Sequence, residues 1–268
     1  MVAPPWGFDR MHMCRLEDEA GQAQMLASLP PCSAMQSLVP VAAPLGVRVW
    51  RLQLDLLRGQ LSELLAPLPG IERERCLRYR RPVDRLRYAA ARLVLRHVLA
   101  LHVNRAPHSL VIEPDACGKP QLLDAQGWHF NLSHSGRHVL LAFSNRGPVG
   151  IDVERVATDV PWPDMQACLT PAERTYCALS TNPQAFFRVW CGKEAVLKAL
   201  GVGIAQHLPH ISVLPTARRR YALALQMMAP PVQAWQLSAP HGCVAALAVS
   251  DPVAAMFGQE TKVTPERG

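Results

Sequence analysis

The stretch VGIDVER, residues 149–155, decides how the chain is read. Val149, Ile151 and Val153 alternate with Gly150, Asp152 and Glu154, the period-two pattern of a strand. Side chains two apart share a strand face, so Asp152 and Glu154 point the same way, one above the other. Like charges so placed repel. They are tolerated at an exposed strand end, solvated or paired with Arg155, or where a cation holds them.

The same stretch has an echo. VRVWRL (47–52) aligns with VGIDVE (149–154) at an offset of 102 residues, which also places LVLRHVL (93–99) on AVLKALG (195–201) and HSLVIEP (108–114) on HISVLPT (210–216). With a few residues of slippage, FNLSHSGRHVLLAFS (130–144) faces WQLSAPHGCVAALAVS (235–250). Matches in one order, mostly at one offset, predict two similar halves.

Each half reads strand, helices, strand, then two further strands. In the first, a strand over 47–54 leads to helices over 61–69, 71–79 and 83–102, a strand at 109–114, a hairpin at 120–124 and 128–134, and a strand at 137–144. In the second, a strand over 149–155 precedes helices over 163–168, 171–179 and 183–200 and strands at 210–214, 220–226, 232–238 and 243–249. Thr170, Pro171 and Glu173 spell a capping box with proline at the first helical position, and Gly201 and Gly203 form a helix stop. The expected fold class is α+β: two similar α/β lobes from an internal duplication, each a small sheet carrying a long helix. The expected division is a poorly ordered extension (1–44, with one short helix around 15–29), an N-terminal lobe (45–147), a C-terminal lobe (148–251) and a tail (252–268).

Composition narrows the class. The 268 residues are 49% hydrophobic and 18% charged, which excludes a disordered polyelectrolyte. A net charge of +7 favours anionic partners: nucleic acid, phosphorylated small molecules or acidic proteins. The eight cysteines show no C-x-x-C pair and no zinc-finger spacing, as expected of reduced thiols in a cytoplasmic protein. RLEDEAGQ breaks any secretory pattern, and no apolar run approaches the roughly 20 residues of a membrane span.

A second segment gives the acids a purpose. In RVWCGKEAVLKALGVG (188–203), Lys193, Glu194 and Lys198 are charged exceptions, beyond the leading Arg188, on a mostly apolar helix. Glu194 and Lys198 are four apart, which alone means a solvated surface pair. With this helix packed on the sheet of its own lobe, Asp152, Glu154 and Glu194 can converge. Three carboxylates without His or Cys suit a hard cation, typically Mg²⁺ shared with substrate phosphates. Lys193 and Lys198 then supply charge beside a diphosphate.

These residues resemble the 4′-phosphopantetheinyl transferases, specifically the pseudo-dimeric type that activates peptide and polyketide synthases. GIDVE (150–154), WCGKEAVLKALG (190–201), GKP (118–120) and FNLSHSG (130–136) stand in that family's order, and the resemblance covers about 47–250. It implies that coenzyme A donates its phosphopantetheine arm to a serine of an apo acyl or peptidyl carrier protein, releasing adenosine 3′,5′-bisphosphate. By motif position Asp152, Glu154 and Glu194 are the implied Mg²⁺ ligands. Glu194 is also the implied base, directly or through a metal-bound water. Lys198 stabilises the leaving phosphate and Lys193 the diphosphate. Arg75, Arg87, Lys119, Ser133 and His134 are the implied coenzyme A contacts. Where many relatives carry a lysine three residues before Arg75, this chain has Glu72, and Arg73 is the candidate substitute. At the repeat offset Trp50, Leu52 and Arg92 replace Asp152, Glu154 and Glu194, so a single site between the lobes is expected. The implied protein is a cytoplasmic monomer of secondary-metabolite or fatty-acid biosynthesis that binds no nucleic acid and no membrane.

Three other readings use some of these residues. A Mg²⁺ phosphodiesterase or nucleotide hydrolase needs a positioned water that nothing here demands. A nucleic-acid-binding module would use the arginines between 73 and 96 but leaves the acids unexplained. A catalytically dead carrier-protein binder would not keep the acidic set.

Overall fold

The computed structural model describes residues 32–157 and 162–251 and several positions between 21 and 29. In the first half, α1 (Ser33–Gln36) leads into β1 (Leu38–Val41) and β2 (Val47–Gln53). Next come α2 (Leu61–Leu65), α3 (Gly70–Leu77), α4 (Pro82–Val103), β3 (Ile112–Pro114), β4 (Pro120–Leu122), β5 (His129–Ser135) and β6 (His138–Ser144). The second half holds β7 (Val149–Arg155), a 3-10 segment (Trp162–Cys168), α5 (Pro171–Leu179), α6 (Gln184–Leu200), α7 (Ile204–His207), β8 (Ile211–Pro215), β9 (Tyr221–Leu225), β10 (Val232–Leu237) and β11 (Cys243–Ser250). No helix of the described residues is long and apolar enough to cross a membrane.

The halves match in topology. The first sheet runs β1-β2-β6-β5 and the second β10-β11-β7, all antiparallel, so β2-β6-β5 has the connectivity of β7-β11-β10. Each half adds a small hairpin, β3-β4 or β8-β9.

Alternation along the strands builds four layers. Trp50, Leu52, Val139, Leu141 and Phe143 turn outward onto α4, while Val49, Leu140 and Ala142 turn inward to meet Ile151, Val153, Ala245 and Leu247 of the second sheet. The outer face of that sheet, with Val244, Ala246 and Ala248, packs on α6. Each wholly buried leucine or valine in these layers contributes on the order of 1.5–3 kcal/mol. Both long helices end in a left-handed residue, Asn104 (φ 50°) and Gly201 (φ 69°), a common helix stop.

Two expectations need correction. The extension does not run to residue 44: β1 pairs with β2, and Ala34, Met35 and Leu38 join the core beneath α4. Proline and alanine content hid that short edge strand. The hairpin expected over 120–134 does not form either, because β4 returns to β3 and β5 pairs with β6. The turn over Asp115–Lys119 explains the first pairing. Asp115 Oδ1 accepts from the amides of Cys117 and Lys119, both at 2.9 Å, beside left-handed Gly118. The capping box forms as read: Thr170 Oγ1 accepts from the Glu173 amide, and Glu173 returns to the Thr170 amide. The expected helix over 163–168 is a 3-10 segment. The tail from 252, and most of the expected helix at 15–29, lie outside the described residues.

Candidate active site between the two lobes

Gly150 brings the acids together. A Cβ there would stand 2.0 Å from the Ala195 carbonyl oxygen and 2.5 Å from the Ala199 amide, so only glycine lets α6 lie this close to β7. At that distance Lys198 Nζ reaches Asp152 Oδ1 at 2.7 Å and Glu194 Oε2 at 3.4 Å. The carboxylate oxygens of Asp152 and Glu194 are therefore no more than about 6 Å apart. Glu154 shares their face of β7 and is held at 2.9 Å by the Ser135 hydroxyl, as Asp152 is at 2.8 Å by Ser133.

Burial and crowding set the charges. Burial raises the Glu154 and Glu194 carboxyls, and the charge of Asp152 raises both further. Burial would lower the Lys198 ammonium, but Asp152 and Glu194 outweigh it and raise its pKa. Asp152 is 3% exposed, and its Oδ2 has no hydrogen-bond partner. Burying a carboxylate is costly unless cations and donors answer it, and here Lys198 answers Oδ1. In kind, the three acids fit a hard cation: oxygen donors only, with one buried lone oxygen. Asp152 and Glu194 meet at Lys198, and Glu154 lies beside Asp152 on β7. Among the described residues no three His, Cys, Asp or Glu side chains stand close enough to hold a metal ion. Lys198 and Ser133 hold Asp152, and Ser135 holds Glu154.

The N-terminal lobe closes the pocket. Near the tip of β5, the His134 imidazole has its pKa lowered by partial burial first and then by the charges of Arg87 and Lys198. Arg87 donates to Asp84 Oδ1 at 2.8 Å and to the Gly136 carbonyl at 3.0 Å. Arg75 is exposed on α3. Beyond Arg87 a cleft of about 690 Å³ has an apolar floor including Leu54, Leu61, Val83 and Leu86, rimmed by Arg58, Arg137 and Arg155. A smaller cavity of about 400 Å³, with His138 and His241, shares Gly136, Arg137 and Arg155 with it. The two form one basic groove across the lobe junction.

Known proteins match both halves of the chain in sequence. Residues 148–248 match the model of the 4′-phosphopantetheinyl transferase superfamily, and residues 57–146 match that of the N-terminal domain of a 4′-phosphopantetheinyl transferase. The 4′-phosphopantetheinyl transferase HetI of Nostoc sp. is 34% identical over 214 residues, 76% of this chain and 87% of HetI. The chain belongs to the 4′-phosphopantetheinyl transferase superfamily. A putative 4′-phosphopantetheinyl transferase of Synechocystis sp. is 32% identical over 177 residues, covering 61% of this chain and 68% of the relative. The 4′-phosphopantetheinyl transferase Sfp of Bacillus subtilis is 28% identical over 153 residues, covering 53% and 64%.

As a phosphopantetheinyl transferase the chain departs from three expectations. Lys193 is not at the pocket. It is 0% exposed, and its ammonium donates to Glu173 Oε2 at 2.5 Å and to the Ile211 carbonyl at 2.6 Å. One residue from Glu194, it points about 100° round the helix, into the core. Lys119 is a tie between lobes: Nζ donates to the Val149 carbonyl at 3.0 Å and to the Lys198 carbonyl at 2.7 Å, next to the C-terminus of α6. Burial lowers its pKa to about 8, and Asp115 only partly offsets this. Ser133 is buried, and its hydroxyl faces Asp152.

Glu72 has a structural role. Its carboxylate accepts from Arg92 Nε at 2.9 Å and from Arg96 Nε and Nη2 at 2.8 and 2.9 Å, fastening α3 to α4. Arg96 also donates to the carbonyls of Pro107 and Leu110. Arg92 and Arg96 are thus largely buried partners of Glu72 rather than free surface charges. Asn131 and Ser135 went unremarked in the sequence. Their signal was the alternation Asn131, Ser133, Ser135 along one strand face.

Proposed function

We propose that this phosphopantetheinyl transferase moves the 4′-phosphopantetheine arm of coenzyme A to a serine hydroxyl of an apo acyl or peptidyl carrier protein, with Mg²⁺. The products are holo-carrier protein and adenosine 3′,5′-bisphosphate. The observation that carries the reading is that Lys198 meets both Asp152 and Glu194, with Glu154 beside Asp152 on β7.

Asp152, Glu154 and Glu194 would hold the ion, which supplies positive charge to the diphosphate oxygens. Glu194, its carboxyl raised by burial against the lowering charge of Lys198 and raised further by Asp152, takes the serine proton. The serine oxygen forms a bond to the β-phosphorus of coenzyme A, and the bond from that phosphorus to the bridging oxygen breaks. Lys198 stays protonated and meets the charge that gathers on the departing phosphate. Arg87, His134 and the exposed Arg75 hold the nucleotide phosphates. The basic groove complements an acidic carrier domain and speeds its encounter.

The matched strand order supports an internal duplication with one surviving site. Trp50 and Leu52, which stand at the positions of Asp152 and Glu154, are wholly buried beneath α4. We therefore read one coenzyme A site per chain, in a cytoplasmic monomer serving peptide, polyketide or fatty-acid synthesis. The test is intact-mass measurement of several apo carrier proteins after incubation with the chain, coenzyme A and Mg²⁺. Gain of one phosphopantetheine is expected. Breakdown of coenzyme A without acceptor, and no gain on any carrier, would replace this reading with hydrolysis.

A further inference from the structure

β7 is an edge strand of its sheet, yet its outward amides are paired. Asn131 Oδ1 accepts from Ile151 N at 2.9 Å, Ser133 Oγ from Val153 N at 3.4 Å and Ser135 Oγ from Arg155 N at 2.9 Å. Alternate side chains of β5 thus stand where the backbone of a neighbouring strand would, and the two strands run parallel across the lobe junction. Both serines then donate onward, Ser133 to Asp152 Oδ1 at 2.8 Å and Ser135 to Glu154 Oε2 at 2.9 Å. The module is repeated: each hydroxyl accepts one β7 amide and donates to the carboxylate of the residue before it.

A serine hydroxyl has one proton. Once its oxygen is fixed by an amide, the direction left for that proton is fixed too. A neutral donor also orients a carboxylate without cancelling its charge, whereas the Lys198 ammonium does both. We propose that Ser135, and with it Ser133, are positioning residues: the N-terminal lobe sets the aim of the two β7 carboxylates that belong to the C-terminal lobe. Metal affinity then depends on the lobe junction. The inference rests on the proposed function for the identity of the metal site.

The test measures Mn²⁺ binding to the full chain by electron paramagnetic resonance with coenzyme A present, so no carrier or turnover enters. Ser135→Ala is expected to weaken Mn²⁺ roughly 10-fold or more, the usual scale for losing a partner of a metal ligand. Its KM for coenzyme A at saturating metal should stay within about twofold of wild type, and its urea midpoint close to wild type. Ser135→Thr, which keeps the hydroxyl, should recover most of the affinity. Ser133→Ala reads the same dependence through Asp152, so the test does not hang on one strand position. Equal Mn²⁺ binding by wild type and both alanine variants would overturn the positioning role alone. Absence of Mn²⁺ binding by the wild-type chain would overturn the metal reading beneath it.

Discussion

Lys198 and Asp152 meet at 2.7 Å, joining the last turn of α6 to the middle of β7. The contact places one ammonium beside two acids, Asp152 and Glu194, and it ranks the two lysines of the helix. Lys198→Met should lower turnover by roughly 100-fold or more, on the scale of losing one preorganised donor to a developing anion. Glu194→Gln should fall into the 10²–10⁴-fold range of a lost general base. Both are read as initial rates on an apo carrier protein at saturating coenzyme A. Retention of wild-type rates by either variant would remove that residue from the chemistry.

Lys193→Met should behave differently. Its ammonium sits with Glu173 in a wholly buried pair, so removing it strands a carboxylate. The expected cost is about 3–5 kcal/mol in urea unfolding. In whatever fraction stays folded, KM for coenzyme A should be unchanged. A raised KM with normal stability would return Lys193 to the substrate.

Gly150→Ala tests the spacing of helix and strand. The added methyl meets Ala195 oxygen at 2.0 Å and must push α6 away. A loss of about 1–3 kcal/mol and a collapse of transfer are expected together. Gly203→Ala, where nothing lies within 4 Å, is the matched control and should leave both intact.

Glu72→Lys sets a third cation against Arg92 and Arg96. Destabilisation of at least about 3 kcal/mol is expected in a denaturant titration, with no gain in coenzyme A affinity. Normal stability would show that the Glu72 network is dispensable.

Acid should weaken the fold in two steps. His102 stacks on Trp128 with ring centroids 3.8 Å apart, and burial, aided by Arg48, lowers its pKa to about 4. A depressed folded pKa means that the unfolded chain binds the proton first. The stabilisation is complete above about 6.5 and is lost as pH falls towards 4, on the order of 3 kcal/mol. Glu72 follows lower. Burial raises its carboxyl, but the hydrogen bonds and charges of Arg96 and Arg92 outweigh that and hold it below 4.5, so its contribution goes as pH drops beneath that value. Urea midpoints between pH 7 and 4 should fall in wild type and fall less steeply in His102→Gln, where the remaining slope comes from His129, His134 and His138, whose pKa values burial also lowers.

Much of the fold could be read from the chain. The alternation of Val149, Ile151 and Val153 is a local property, and so are the Thr170–Glu173 cap and the left-handed stop at Gly201. The constant offset between the halves carried the lobe plan. The short edge strand Leu38–Val41 was not legible, because it exists only by pairing with β2. The β3–β4 pairing was missed for the same reason: either neighbour of Leu122 in sequence offers a strand.

For the site, sequence determined which groups are acidic and which helix carries Glu194 and Lys198, since residues four apart share a helix face. Tertiary structure alone decided which lysine meets the acids. Lys193 and Lys198 are alike in chemistry and differ only in the side of α6 they occupy. Gly150 chose the side facing β7, because contact at 2.0 Å is a relation between segments some 45 residues apart. The serine clamps are of the same kind. Hydroxyl direction depends on which amide lies opposite, and that is fixed by packing one sheet against the other rather than by any local pattern.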